Sequence, residues 1–168
     1  MKTKFITLAI ALLGFGSATF AQSTATNATA NASATLLTPL SITKDIDLNF
    51  GNIASSNEAG TAVLTTAGAI SRTGGVAILD GVTPTAAKFT VVGASSETYS
   101  MDAPASIKLK SGSNELNLSL VYDKSATGNV LTGGSSVILV GGTLAIPANT
   151  VAGTYTNTTD LKITVNYE

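Results

Sequence analysis

Apolar residues keep to even positions over a long stretch of the chain: Ala28, Ala30, Ala32, Ala34, Leu36, Leu40, Ile42, Ile46, Leu48 and Phe50, with polar residues at nearly all the odd positions between them. A period of two marks a β-strand, because successive side chains there point to opposite faces. Pro39 has no amide to give to a ladder, so the pattern predicts two or more strands. Residues 22–35, QSTATNATANASAT, are uncharged and dominated by Ala, Thr, Ser and Asn. That composition is a linker's and that parity is a strand's. Both readings stand for this segment.

Beyond Phe50 the chain returns repeatedly to short β-type runs: Ala62–Thr66, Lys88–Val92, Thr98–Met101, Ile107–Leu109, Leu116–Tyr122, Val137–Val140, Thr143–Ile146 and Tyr155–Tyr167. Between them lie Gly74-Gly75, Asp80-Gly81, Ser111-Gly112, Thr127-Gly128-Asn129, Gly133-Gly134 and Gly141-Gly142, which read as turns. The clearest predicted hairpin joins Val137–Val140 to Thr143–Ile146 through Gly141-Gly142. At the end of the chain Leu161, Ile163, Val165 and Tyr167 alternate with Lys162, Thr164 and Asn166, which predicts a strand with one buried and one wet face. No window beyond residue 21 sustains a Gly-free 3.6-residue apolar repeat. Many short strands with Gly-rich turns predict an all-β fold, an immunoglobulin-like antiparallel β-sandwich spanning residues 36–168.

The opening residues read differently. Lys2 and Lys4 precede an apolar run from Phe5 to Phe15, and small residues follow as far as Ala21. This is the pattern of a secretory signal peptide over residues 1–21, with Thr19 and Ala21 small enough for a signal-peptidase pocket. The run is well short of the roughly 20 residues that span a bilayer, so no membrane span is expected after its removal. Export places the protein in the periplasm, on the cell surface or outside the cell.

Composition then narrows the chemistry. Without the leader, seven Lys and Arg face ten Asp and Glu, and the basic positions are scattered, which argues against a nucleic-acid partner. The chain has neither His nor Cys, so it can build no Ser-His-Asp or Cys-His nucleophile and no thiolate or imidazole zinc site. Carboxylates at Glu97, Asp102, Glu115 and Asp123 have no spacing that suggests a catalytic pair. Asp45, Asp47 and Asn49 open like a calcium loop, but Phe50 stands where the loop needs Gly and Ser56 where it needs an acid. They read as the wet face of a strand whose Ile46, Leu48 and Phe50 turn inward. No enzyme activity and no cofactor are expected.

Several short runs resemble a bacterial family of unknown function, DUF4402: Leu48-Asn49-Phe50-Gly51-Asn52-Ile53, Thr73-Gly74-Gly75-Val76, Lys88-Phe89-Thr90-Val91-Val92-Gly93 and Ile146-Pro147-Ala148-Asn149. The ending, Gly153-Thr154-Tyr155 and then Thr164-Val165-Asn166-Tyr167-Glu168, is similar to pilin and spore-coat-U-type domains, which close with an alternating strand and a penultimate tyrosine. That resemblance implies a last strand gripped by a periplasmic chaperone and later completed by a neighbour's N-terminal extension. The sequence departs from it in lacking a cysteine pair and bulky residues in the N-terminal segment.

The expected function is an exported structural or cell-surface module that self-associates as a pilin-like subunit by strand addition. Ala28, Ala30, Ala32, Ala34 and Leu36 would form the donor, and Leu161, Ile163, Val165 and Tyr167 the acceptor. The alternative is a monomeric secreted binding module, adhesin-like, whose loops at Ser71–Gly81 or Ala94–Thr98 take a carbohydrate or protein ligand. The absence of Trp counts against a sugar-stacking platform. N-terminal sequencing of the exported protein is expected to read from Gln22; an intact Met1 end would remove the leader assignment.

Overall fold

The computed structural model describes residues 26–168, so the leader and its cleavage point lie outside the described residues. Residues up to Thr35 and residues Leu36–Glu168 are separate units. In the first, residues 26–35 are exposed and form no regular secondary structure. The second is all-β, with no helix among the described residues.

Its strands are β1 (Ser41–Ile46), β2 (Asn52–Ala54), β3 (Gly60–Leu64), β4 (Ile70–Gly74), β5 (Ala77–Leu79), β6 (Ala87–Val92), β7 (Thr98–Asp102), β8 (Ser106–Ser111), β9 (Asn114–Tyr122), β10 (Asn129–Val130), β11 (Ser135–Ile146) and β12 (Thr164–Tyr167). The large sheet runs β1-β6-β11-β3-β4, with β9 also on β11 and β8 on β9. A second sheet runs β10-β7-β12, and β2 pairs with β5. Every pairing is antiparallel, as the sandwich reading expects.

Both sheets send alternate residues into one core. Leu64, Val91, Leu118, Ile138 and Val140 come from the large sheet, and Tyr99 and Met101 from the small one. Each fully buried aliphatic side chain contributes about 1.5–3 kcal/mol, which lets this cysteine-free chain hold together on burial. Tyr99 is the largest side chain with no exposure, and a hydroxyl buried there needs a partner. Ser136 Oγ accepts its proton at 2.9 Å.

The predicted hairpin at Gly141-Gly142 does not form. β11 passes straight through both glycines and changes partners there: Ser135–Val140 pair with β6, and Gly142–Ile146 pair with β3. Meanwhile Val140–Leu144 pair with β9 on the opposite edge. A Cβ at Gly141 would press into the Leu64 carbonyl oxygen, and one at Gly142 would lie 2.6 Å from the Ser119 carbonyl oxygen. The two glycines are therefore a backbone crossing point, where no side chain fits between strands. Local sequence has the same appearance for a turn and for a crossing.

Other expectations are corrected at element ends. The last strand begins at Thr164, because Asn157–Lys162 form a turn in which Asn157 Oδ1 accepts from the amides of Thr159 and Asp160. Ser71–Gly81, expected as a binding loop, holds most of β4 and all of β5. The hairpin at Ser111-Gly112 does form, joining β8 to β9.

Gly141→Ala is expected to cost about 1–3 kcal/mol through overpacking, read as a lower urea midpoint at unchanged slope. A variant as stable as the parent would contradict the crossing.

Candidate functional site

A sandwich must end somewhere, and its edge strands carry unpaired amides and carbonyls that natural proteins blunt with charge, bulges, shortness or cover. The edges of this domain differ in how well they are blunted. β8 is covered: Lys110 N donates to Thr156 O and Thr156 N donates to Lys110 O, at 2.9 and 3.0 Å. Next to that bridge, Asn157 Nδ2 donates to Lys108 O. β10 has two residues. β4 carries Arg72, which donates to Val76 O. β1 carries Lys44 and Asp45 and is bulged between Lys44 and Ile46.

β12 has neither charge nor bulge. Its four residues are Thr-Val-Asn-Tyr, uncharged and without a bulge, paired on one side only, Thr164 to Asp102 through Tyr167 to Tyr99. Met101 N donates to Ala126 O, on the far side of β7, so Met101 and its register partner Val165 turn their backbone polar groups away from each other. By the two-residue period Tyr167 does the same, while Thr164 and Asn166 face β7. The outer edge of β12 thus presents the amides and carbonyls of Val165 and Tyr167, with no strand against them among the described residues.

The predicted acceptor residues keep their expected alternation: Ile163 is buried, Leu161, Val165 and Tyr167 are half-buried, and Lys162, Thr164 and Asn166 are exposed. The predicted donor residues Ala28, Ala30, Ala32 and Ala34 are all exposed and unpaired. Leu36 is 90% exposed, and Leu37 is exposed beside it.

Tyr167 has a second attachment that the sequence does not reveal. Its hydroxyl accepts a hydrogen bond from Ala94 N and donates one to Thr38 O, each at 2.6 Å. The oxygen sits over Gly93, where a Cβ would collide with it and would lie 2.9 Å from Leu40 and from Leu131. One phenol thus ties the C-terminal strand of the small sheet to the chain entering β1 in the large sheet. The penultimate position was the available signal; the glycine that admits the hydroxyl lies 74 positions away in sequence.

Several of the carboxylates are engaged in structural contacts. Glu115 Oε2 takes Lys108 Nζ at 2.6 Å and Oε1 takes Lys110 Nζ at 3.1 Å; these lysines hold its carboxyl below the usual carboxylate range. Asp123 Oδ1 accepts from Leu139 N. Glu115 and Asp123 sit near opposite ends of β9, about 27 Å apart along a strand rising ~3.4 Å per residue, so they cannot act as a pair. The Asp160 carboxyl is held low by hydrogen bonds from Asn157 and Thr159, with the Lys110 charge adding to them. Asp45 and Asp47 are engaged as well, with Thr90 Oγ1 and Lys44 respectively. Asn49 Oδ1 accepts from Gly51 N.

An open depression of about 430 Å³ lies between β8 and this turn, lined by Pro104, Ser106, Lys108, Lys110, Asn117 and Asp160 among others. Its lysines are already matched by Glu115, and no aromatic ring lines it.

The family model described as "Domain of unknown function (DUF4402)" matches residues 40–167, most of the chain. The chain belongs to the DUF4402 family. The match begins at Leu40, next to β1, and ends at Tyr167, the last residue of β12. No curated protein and no solved structure matches the chain.

Tyr122 gives the fold a measurable pH dependence. Its hydroxyl donates to Pro104 O at 2.7 Å, and burial pushes its pKa up to about 12. An unfolded tyrosine ionises near ~10. Between those values the unfolded chain has lost the proton and the folded one still holds it, so this stabilisation is complete below about pH 10 and is lost as pH rises toward 12. Tyr122→Phe should be less stable than the parent at pH 7, with the difference in urea midpoint shrinking between pH 10 and 12. Parallel curves would show that burial is not what holds the proton.

Proposed function

We propose that this protein is an exported structural subunit of the cell surface that assembles with copies of itself by β-strand addition. The residues before β1 of one copy pair along the outer edge of β12 in the next. The observation that carries this reading is the contrast among edges: of the edges described above, β12 and the two-residue β10 lack charge and bulge, and β12, with four residues, is the longer, a condition that invites another strand. A bare edge on an exported domain is either a hazard or an interface.

The donor is argued from the same chain. Residues 26–37 are uncharged and unpaired, with alternating apolar positions from Ala28 to Leu36. Twelve residues are ample for an edge strand of four. Buried alanines contribute less than about 1 kcal/mol each, whereas Leu36 contributes about 1.5–3 if covered. Ladder hydrogen bonds add about 0.5–1.5 kcal/mol each. The association therefore rests on the backbone and on Leu36, with neither segment carrying charge to oppose it. The ending similar to pilin and spore-coat-U-type domains supports this reading, as does the secretory leader. In this scheme a periplasmic chaperone covers β12 before assembly.

Electron microscopy of the purified chain beginning at Gln22 is expected to show fibres, and deletion of residues 22–35 is expected to abolish them. If both chains stay monomeric and melt at the same temperature, strand donation is wrong and a monomeric binding module becomes the better reading.

A further inference from the structure

Within each domain the free edge of β12 is not equally open along its length. β1 comes within 8 Å of β12, Cα to Cα. A strand lying between two others needs about 9.6 Å, twice the spacing of paired strands. At the Tyr167 end the gap is also bridged, because the phenol oxygen is bonded to Thr38 O on one side of the seam and to Ala94 N on the other. Leu40 and Leu131 close in around Gly93 below it.

We infer that Thr38–Leu40 is an autoinhibitory strap, fastened by the Tyr167 hydroxyl over Gly93, which must be released before a second copy's N-terminal segment pairs along the full length of β12. This rests on the strand-addition reading given above. It adds a gate to it: the chain that leads into a subunit's own β1 blocks the far end of that subunit's acceptor edge.

The fastening is strong for a single side chain because its two hydrogen bonds are made by one hydroxyl acting as donor and as acceptor. It is also local. The strap is held by Tyr167, by packing of Leu40, and by the β1–β6 ladder that begins at Ser41. Removing the hydroxyl leaves both the Ala94 amide and the Thr38 carbonyl without that partner, while β7 keeps its ladder to β12. The unprotected Leu36 and Leu37 lie just outside the fastening, so release frees one continuous segment from residue 26 to the start of β1.

The test compares the chain from Gln22 with its Tyr167→Phe variant by amide hydrogen exchange and by the rate of fibre growth. In the variant, the Ala94 amide is expected to exchange at least tenfold faster and fibres to grow faster, with the β6–β11 amides unchanged. In parent fibres the Ala94 amide is expected to lose the protection it has in the monomer, a measurement that needs no variant. Should Tyr167→Phe fail to fold, Gly93→Ala displaces the hydroxyl by collision and is expected to give the same two effects. Unchanged exchange at Ala94 in the folded variant would overturn the strap. Faster exchange with unchanged or slower growth would overturn its inhibitory role while leaving strand addition standing. Absence of fibres from parent and variant alike would overturn strand addition, and the gate with it.

Discussion

The large sheet depends on the close approach of three backbones at Gly141-Gly142. β11 is the strand on which β6, β3 and β9 all pair, and it can serve three partners because nothing projects from it where they meet. At this point β11 hands one of its edges from β6 to β3 while β9 holds the other. The Leu64 and Ser119 carbonyls occupy the space that Cβ atoms would need. Without that crossing, β1-β6 and β3-β4 would have no common strand, and the core they cover would lose its roof. The edges that remain follow from this arrangement: β1 and β4 end the large sheet because β6 and β3 share one side of β11.

Edges decide what a β-sandwich does with other molecules, and here they have been treated unequally. Lysine, aspartate and a bulge protect β1, an arginine marks β4, and a turn built on Asn157 covers β8. β12 is left with four uncharged residues and a single tyrosine hydroxyl that reaches across to the entrance of β1. That hydroxyl joins the two ends of the folded unit by a side-chain hydrogen bond. The same contact therefore bears on stability, because it bridges two sheets, and on assembly, because it stands at the end of the barest edge.

Much of this was legible in the residues. Short β-type runs located β3, β6, β7 and β9, and alternation gave the inward face of β12, since a period of two is a property of the strand itself and needs no partner to be seen. Asp45, Asp47 and Asn49 lie on the wet side as read, but Ile46, expected to turn inward with Leu48 and Phe50, is 44% exposed at the bulge between Lys44 and Ile46, an irregularity that a strict period of two does not foresee. The strands that escaped, β2, β5 and β10, have two or three residues each, too few to show a period. β4, Ile-Ser-Arg-Thr-Gly, has a single large apolar residue and is strand only because β3 offers it a ladder. The candidate site divided in the same way: the residues of β12 were visible, whereas Gly93, Ala94 and Thr38 carry no mark of their own.

The sequence alone determined an all-β chain with an aliphatic core, no His or Cys chemistry, and amphipathic character in its final strand. These are local or compositional properties, fixed by which side chains are present and how they alternate. The tertiary structure alone decided that Gly141-Gly142 is a crossing and not a turn, because a glycine pair permits both and only the position of β3 and β9 selects one. It alone decided which edges are covered. And it alone brought Tyr167 to Thr38, 129 positions apart, where a hydrogen bond depends on how two sheets stack and leaves no trace in the spacing of residues.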